Sequence, residues 1–286
     1  MAFNVKTFYT RATTAVVFVA LLLGCVWYSY YSFVAFFAVV GFIGLYEFYK
    51  LSEKLNAKPN KIVGYLFYIL VTMSVFFTMI YIEHITEFIQ GTSLFIILLL
   101  PSILFIVELF KKDGSIKDIA YTFMGLVYVL IPCLMIMCLV DYSQYHQQGA
   151  FYPFKVLGMI FFVWINDTGA YLVGSFFGKH KLYERISPNK TWEGTLGGIA
   201  LCIALSFVVA NILNPHWPLI HWVVISVIVA VFGTLGDLVE SMLKRMAGVK
   251  DSGKLMPGHG GVLDRFDSLF FATPFVFCYL ALMGLL

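Results

Sequence analysis

Long apolar stretches broken by short charged clusters run the whole length of the chain. Read between those clusters, the pattern predicts nine apolar helices, at about 12–31, 32–49, 62–82, 92–110, 119–140, 154–177, 192–213, 219–240 and 267–286. Each is close to the roughly 20 residues that a helix needs to cross about 30 Å of hydrocarbon. The first two are separated only by Trp27-Tyr28-Ser29-Tyr30-Tyr31, which reads as a tight hairpin in an interfacial aromatic belt. The sixth carries Asn166-Asp167 near its middle, which sets it apart from a plain spanning helix. The fold class is therefore all-α: a polytopic integral membrane protein of about nine spans. About five spans fall in an N-terminal region, 1–150, and about four in a second region, 151–286.

Composition agrees with this reading. Of 286 residues, 60% are hydrophobic and only 12% charged, against about 25% charged in an ordinary soluble domain; mean hydropathy is +0.87. A soluble globular enzyme is excluded. With a net charge of +3 and short charge runs, so is a nucleic-acid-coating protein. The five cysteines lie in apolar runs without ligand spacing and read as buried packing residues. The run ending Leu22-Leu23-Gly24-Cys25 superficially resembles a lipoprotein cleavage signal, but the apolar stretch continues past the cysteine, and it reads as the first membrane helix.

Charge sets the orientation. With the N-terminus inside and the nine spans alternating, eighteen of the 19 basic residues fall on the inner side and only Lys155 outside it. The positive-inside rule then predicts N-in, C-out. Before residue 150 the inner loops are short and basic, as expected for contact with anionic lipid.

Polar chemistry gathers after residue 150. Asp237, Glu240, Ser241 and Lys244 fall at i, i+3, i+4 and i+7 of a continuing helix and share one face. Pro257-Gly258-His259-Gly260-Gly261 is a turn-rich loop whose backbone N–H groups could hold phosphate. Asp264 and Asp267 share a face at i and i+3, and with Asp237 they give three carboxylates near one interface. Such hard oxygen donors suit Mg²⁺; an ion pair of the aspartates with Arg265 or Lys244 is the competing reading. Asp167 lies about 15 Å from the inner end of its helix at Phe177, a depth at which an ionisable group normally faces a polar cavity. Gly169, Gly174 and Gly178 would let a neighbouring backbone come close. In Ser187-Pro188-Asn189-Lys190-Thr191-Trp192-Glu193-Gly194, a Ser-Pro turn presents Lys190 and hydroxyls at a helix start, an arrangement suited to phosphate. Glu193 could equally be a first-turn capping carboxylate.

The stretch from Ser241-Met242-Leu243-Lys244-Arg245 through Lys250-Asp251 to Pro257-Gly258-His259-Gly260-Gly261-Val262-Leu263-Asp264-Arg265-Phe266-Asp267 resembles the signature of the phosphatidate cytidylyltransferase (CDP-diacylglycerol synthase) family. Met256 departs from the Leu, Ile or Phe usual in that pattern. Asp167-Thr168-Gly169-Ala170-Tyr171 and the Ser187–Gly194 segment resemble two further blocks of the family, and the specific resemblance spans about 160–275. It implies synthesis of CDP-diacylglycerol and pyrophosphate from CTP and phosphatidate with Mg²⁺, often by a homodimer and with a possible second cation. On that basis Asp237 and Asp264 are expected to bind metal, with Asp267 as a second-metal or supporting ligand. Lys190, Lys244 and Arg245 are expected to hold phosphates, assisted by Ser187, Thr191, Ser241, His259 and Arg265, with Asp167 lining the cavity or joining the metal site. A relative acting on an ether-lipid or polyprenol phosphate, and more distantly an ion-coupled transporter, are the alternatives. The compact chain suggests a bacterial inner membrane with the site facing the cytoplasm.

Overall fold

The computed structural model describes residues 5–80, 99–140, 151 and 153–286. Among them are nine helices: α1 (Val5–Tyr28), α2 (Tyr30–Lys54), α3 (Lys61–Ile80), α4 (Leu99–Leu109), α5 (Ile116–Cys138), α6 (Phe154–Phe177), α7 (Trp192–Leu213), α8 (Leu219–Met246) and α9 (Leu263–Leu282). Six of these, α2 and α5–α9, are long and apolar enough to cross a membrane. With the composition, they define an all-α integral membrane protein. The expected end of the third span and start of the fourth, at 81–82 and 92–98, lie outside the described residues.

The described residues pack as two compact units. One is drawn from the chain up to Met137 together with Ser252–Leu263, the other from Cys138–Asp251 together with Asp264–Leu286.

In the first unit the expected hairpin is built by a capping box at Ser29. Its Oγ accepts from Ser32 N–H at 3.1 Å, and Ser32 Oγ accepts from Ser29 N–H at 3.1 Å. Two of the orphan donors at the start of α2 are thereby satisfied, and the turn needs no extra residues. Helix α2 supplies the largest share of this unit's described core, with Phe33, Phe37, Leu45, Phe48 and Tyr49 all fully buried. Tyr49 Oη donates to Thr122 O of α5 at 3.0 Å, and Tyr68 Oη of α3 donates to Ala38 O at 2.8 Å. Within α5, Leu126–Leu130 form a π turn just before Pro132. Proline has no N–H to return to the carbonyl four residues back, and the widened turn accommodates that loss. The basic connection after α2 is held down by α5: Asp118 Oδ1 accepts from Lys58 N–H at 2.6 Å, and Lys117 Nζ donates to Leu55 O at 2.6 Å.

In the second unit α6 packs against α7 and α8. The expected close approach is present. A Cβ at Gly174 would meet Gly194 Cα at 3.4 Å, and one at Gly169 would meet Gly198 Cα at 3.2 Å. Small residues on both faces let the two backbones approach closely, the usual means of helix association in lipid. Trp222 of α8 is fully buried among Phe154, Phe162 and Trp217. Lys155 is also buried, its ammonium donating to Leu285 O at 2.5 Å.

Three expectations change. Helix α6 runs unbroken through Asn166-Asp167: a polar side chain that opens onto a cavity leaves its own backbone ladder intact. Ser187–Thr191 is a strand rather than a turn. It pairs antiparallel with Lys181–Tyr183, Lys181 opposite Thr191 and Tyr183 opposite Ser187. Pro188 is tolerated there because a two-stranded sheet consists only of edges. Finally, Cys133 and Cys202 are buried, but Cys25 is half-buried and Cys138 and Cys278 are exposed. On membrane helices an apolar outer face meets lipid, so an apolar neighbourhood in sequence does not ensure burial in protein.

Candidate functional site

The glycine crossing of α6 and α7 sets the start of α7 beside the last turns of α6, at Ala170 and Gly174. Thr191, the N-cap of α7, accepts from Gly194 N–H through its Oγ1 at 3.1 Å. Lys190 immediately precedes it on the hairpin strand. Glu193 fastens the open end of that hairpin, its carboxylate accepting from Lys179 and His180 N–H at 3.1 Å and facing His180 Nδ1 at 2.5 Å. The expected capping carboxylate thus binds the segment before the hairpin.

Between α6, α7, α8 and the hairpin lies a cavity of about 260 Å³. Asp167, Lys190, Thr191 and Asp237 line it, with Asn166, Asn189 and Thr234. Lys190 forms an ion pair with Asp237, and Ser241, one turn further along α8, donates to Asp237 Oδ1 at 3.3 Å. Asn166 is buried and donates to Thr234 Oγ1 at 3.1 Å, tying α6 to α8 at the cavity.

A second cluster follows along α8. Asp237, Glu240 and Asp267 each bring one carboxylate oxygen within 4.8 Å of the others. Glu240 is completely buried and ion-paired with Lys244, yet its Oε1 has no hydrogen-bond donor among the described residues. Lys244, itself buried, also donates to Asp264 Oδ1 at 2.7 Å. Close contact makes this possible: Gly236 lies against Phe271 and the Asp267 carbonyl, and a side chain there would force the two helices apart.

The structure thus brings together Asp167, Lys190, Thr191, Asp237 and Ser241 around the cavity, and Lys244, Asp264 and Asp267 around Glu240. Ser187, at the far end of its strand, does not line the cavity. Arg245 is exposed and donates to Val249 O at 3.0 Å, closing the end of α8, and Arg265 is exposed at the start of α9. His259 belongs to the first unit, in a loop with a turn from Met256 O to His259 N–H at 2.9 Å. With Pro257 at the second position and Gly258 at φ 77° in the third, the turn has the signature of type II.

Two acidic residues outside the expected set stand out. Glu240 belongs to the polar stripe legible in the sequence, but its spacing does not say that it is the stripe's innermost member. Glu47, in the apolar run of α2, is buried and accepts hydrogen bonds from the Ser252–Leu263 loop. Only its position as a carboxylate inside an apolar run marks it.

These elements define a helical membrane protein with interleaved carboxylates and lysines at a small polar cavity. The chain belongs to the Cytidylyltransferase family, whose model matches residues 9–283. It is similar to proteins named phosphatidate cytidylyltransferase. The Bacillus subtilis protein is 38% identical over 192 residues, covering 67% of this chain and 68% of the relative. Those of Staphylococcus epidermidis and Staphylococcus aureus are 42% identical over 164 and 167 residues, covering 57% of this chain. The chain spans 60% of the length of those Staphylococcus relatives.

Proposed function

We propose that this protein transfers a cytidylyl group from CTP to phosphatidate, making CDP-diacylglycerol and pyrophosphate for phospholipid synthesis. The observation that carries this reading is the carboxylate cluster Asp237, Glu240 and Asp267 flanked by Lys190 and Lys244 in a membrane helix bundle. A phosphatidate oxygen attacks the α-phosphorus of CTP, the bond from that phosphorus to the bridging oxygen breaks, and pyrophosphate leaves. Since the lipid phosphate is already ionised at neutral pH, no general base is needed. What the reaction needs is positioning and charge stabilisation.

In this reading Lys190 exchanges its hold on Asp237 for a phosphate, with Thr191 and Ser241 beside it and Asp167 on the opposite wall. Lys244 keeps Glu240 and Asp264 in place and offers its charge to the departing pyrophosphate. Arg245, Arg265, Ser187 and His259 would assist from the surface and the loop. The donor set fits a hard divalent cation: three clustered carboxylates, one with a buried oxygen lacking any hydrogen-bond donor among the described residues. Asp237, Glu240 and Asp267 would hold Mg²⁺, with Asp264 adjacent. When bound, Mg²⁺ would offset the repulsion between the two reacting phosphates.

The reading extends to topology. Nine spans, N-in and C-out in a bacterial inner membrane, put the site within reach of cytoplasmic CTP while phosphatidate keeps its acyl chains in the bilayer. Burial of Lys155 against Leu285 O supports this orientation, because the lone basic residue on the outer side is then not a surface charge. A homodimer, a second cation, and the division into an N-terminal region 1–150 and a catalytic region 151–286 belong to the same proposal. The test is release of pyrophosphate by purified protein in detergent. Release is expected to require CTP, Mg²⁺ and phosphatidate together. No release from folded protein would overturn the function, and faster release with an ether-lipid or polyprenyl phosphate would reassign the acceptor.

A further inference from the structure

The Ser252–Leu263 loop is held by a residue far from it in sequence. Glu47, on α2, is buried at 3% exposure. Its Oε1 accepts from Val262 N–H at 3.1 Å, and its Oε2 accepts from Leu263 N–H at 2.8 Å and from Ser252 Oγ at 3.0 Å. One carboxylate therefore joins both ends of the loop across sequence separations of 205 to 216 residues. Val262 and Leu263 stand at the start of α9, where backbone N–H groups have no partner within the helix. A cap of that kind usually comes from the preceding residue; here it comes from another helix.

Two glycines make room for this carboxylate. A Cβ at Gly253 or Gly261 would collide with the Glu47 side chain. The loop so fixed carries the Pro257-Gly258 turn and His259, whose Nδ1 is buried and has no hydrogen-bond partner among the described residues. A buried ring nitrogen is ordinarily hydrogen-bonded, so this one has room for a partner from a water or a ligand.

We propose that Glu47 is a positioning residue for cytidylyl transfer: it clasps the His259 loop as far as Leu263, the first residue of α9, the helix that carries Asp264 and Asp267. The proposal rests on the function proposed above. Without the carboxylate three donors lose their acceptor, and the loop opens far more often than the helices around it.

The experiment compares wild type, Glu47→Gln, Glu47→Asp and Gly261→Ala in detergent, with two readouts. The first is tryptic cleavage after Lys254, an exposed site within the loop, followed by mass spectrometry. Cleavage is expected to rise about tenfold in Glu47→Gln and Gly261→Ala, and less in Glu47→Asp, which keeps both oxygens. The second is steady-state pyrophosphate release. At equal amounts of folded protein, kcat/KM for CTP is expected to fall about tenfold while KM for phosphatidate stays unchanged. The Glu47→Gln/Gly261→Ala double variant should lose about as much as either single variant, because both remove one interaction.

Unchanged cleavage after Lys254 overturns the clasp. Altered cleavage with unchanged CTP kinetics per folded molecule reduces Glu47 to a structural cap and overturns the positioning role. If wild type releases no pyrophosphate the proposed function falls, whereas faster cleavage of Glu47→Gln would still support the clasp.

Discussion

Lys244 offers the sharpest test of the second cluster. It is buried between Glu240, which has no exposed surface, and Asp264, whose side chain is 4% exposed. Replacing it with methionine keeps most of its length and removes one charge from between two carboxylates. At 2.7 Å and an effective dielectric of about 20, the Coulomb attraction to Asp264 alone is about 6 kcal/mol before desolvation is subtracted. Removing one partner from a buried ion pair typically costs about 3–5 kcal/mol, because the remaining charge is stranded. For a unit of this size each kcal/mol lowers Tm by about 2–4 °C, so a fall of about 10 °C is expected for Lys244→Met. The second arm matters more. In the double variant Lys244→Met/Glu240→Gln one of the two stranded carboxylates is also neutralised, so roughly half of the loss should return. Thermal unfolding in detergent, followed by circular dichroism, reads both. A single variant within about 2 °C of wild type, or a double variant less stable than the single, would refute the account of Lys244 as the cation that compensates these carboxylates.

Other expectations follow from the same geometry. Lys190 and Asp237 are each about one-third exposed, so Lys190→Ala should change stability by less than about 1 kcal/mol; KM for CTP should rise about tenfold or more, and an unchanged KM would remove Lys190 from phosphate binding. Gly169→Leu drives a side chain into the Gly198 backbone and should destabilise the α6–α7 pair by about 1–3 kcal/mol, measured as a lower Tm; a neutral result would mean that the crossing is looser than described. Glu240→Gln keeps the shape of the cluster but removes one negative donor, so the Mg²⁺ concentration for half-maximal pyrophosphate release should rise about tenfold or more. No change there would place the cation elsewhere.

What the sequence showed follows from which interactions are local. The polar stripe of α8 was legible because a helix returns to the same face every three to four residues, and the glycines of α6 because a run of them on one helix predicts close approach without naming the partner. The hairpin was hidden: Ser187-Pro188 reads as a turn, and only pairing with Lys181–Tyr183 makes it a strand. The sequence reading also stopped short at Glu240, since periodicity places four residues on one face but cannot rank their depth. Depth is set by α9, which packs against α8 at Gly236 and so decides which carboxylate loses water. Glu47 was still less accessible, as its meaning lies entirely in donors more than 200 residues away. Lys155 completes the argument from the other side. It counts as an exception to the charge bias only while the sequence is the sole guide. Once its ammonium is placed inside the protein against the Leu285 carbonyl, it stops being a surface charge. A rule about loops facing water does not govern a buried lysine, so the bias draws its force from the other eighteen basic residues.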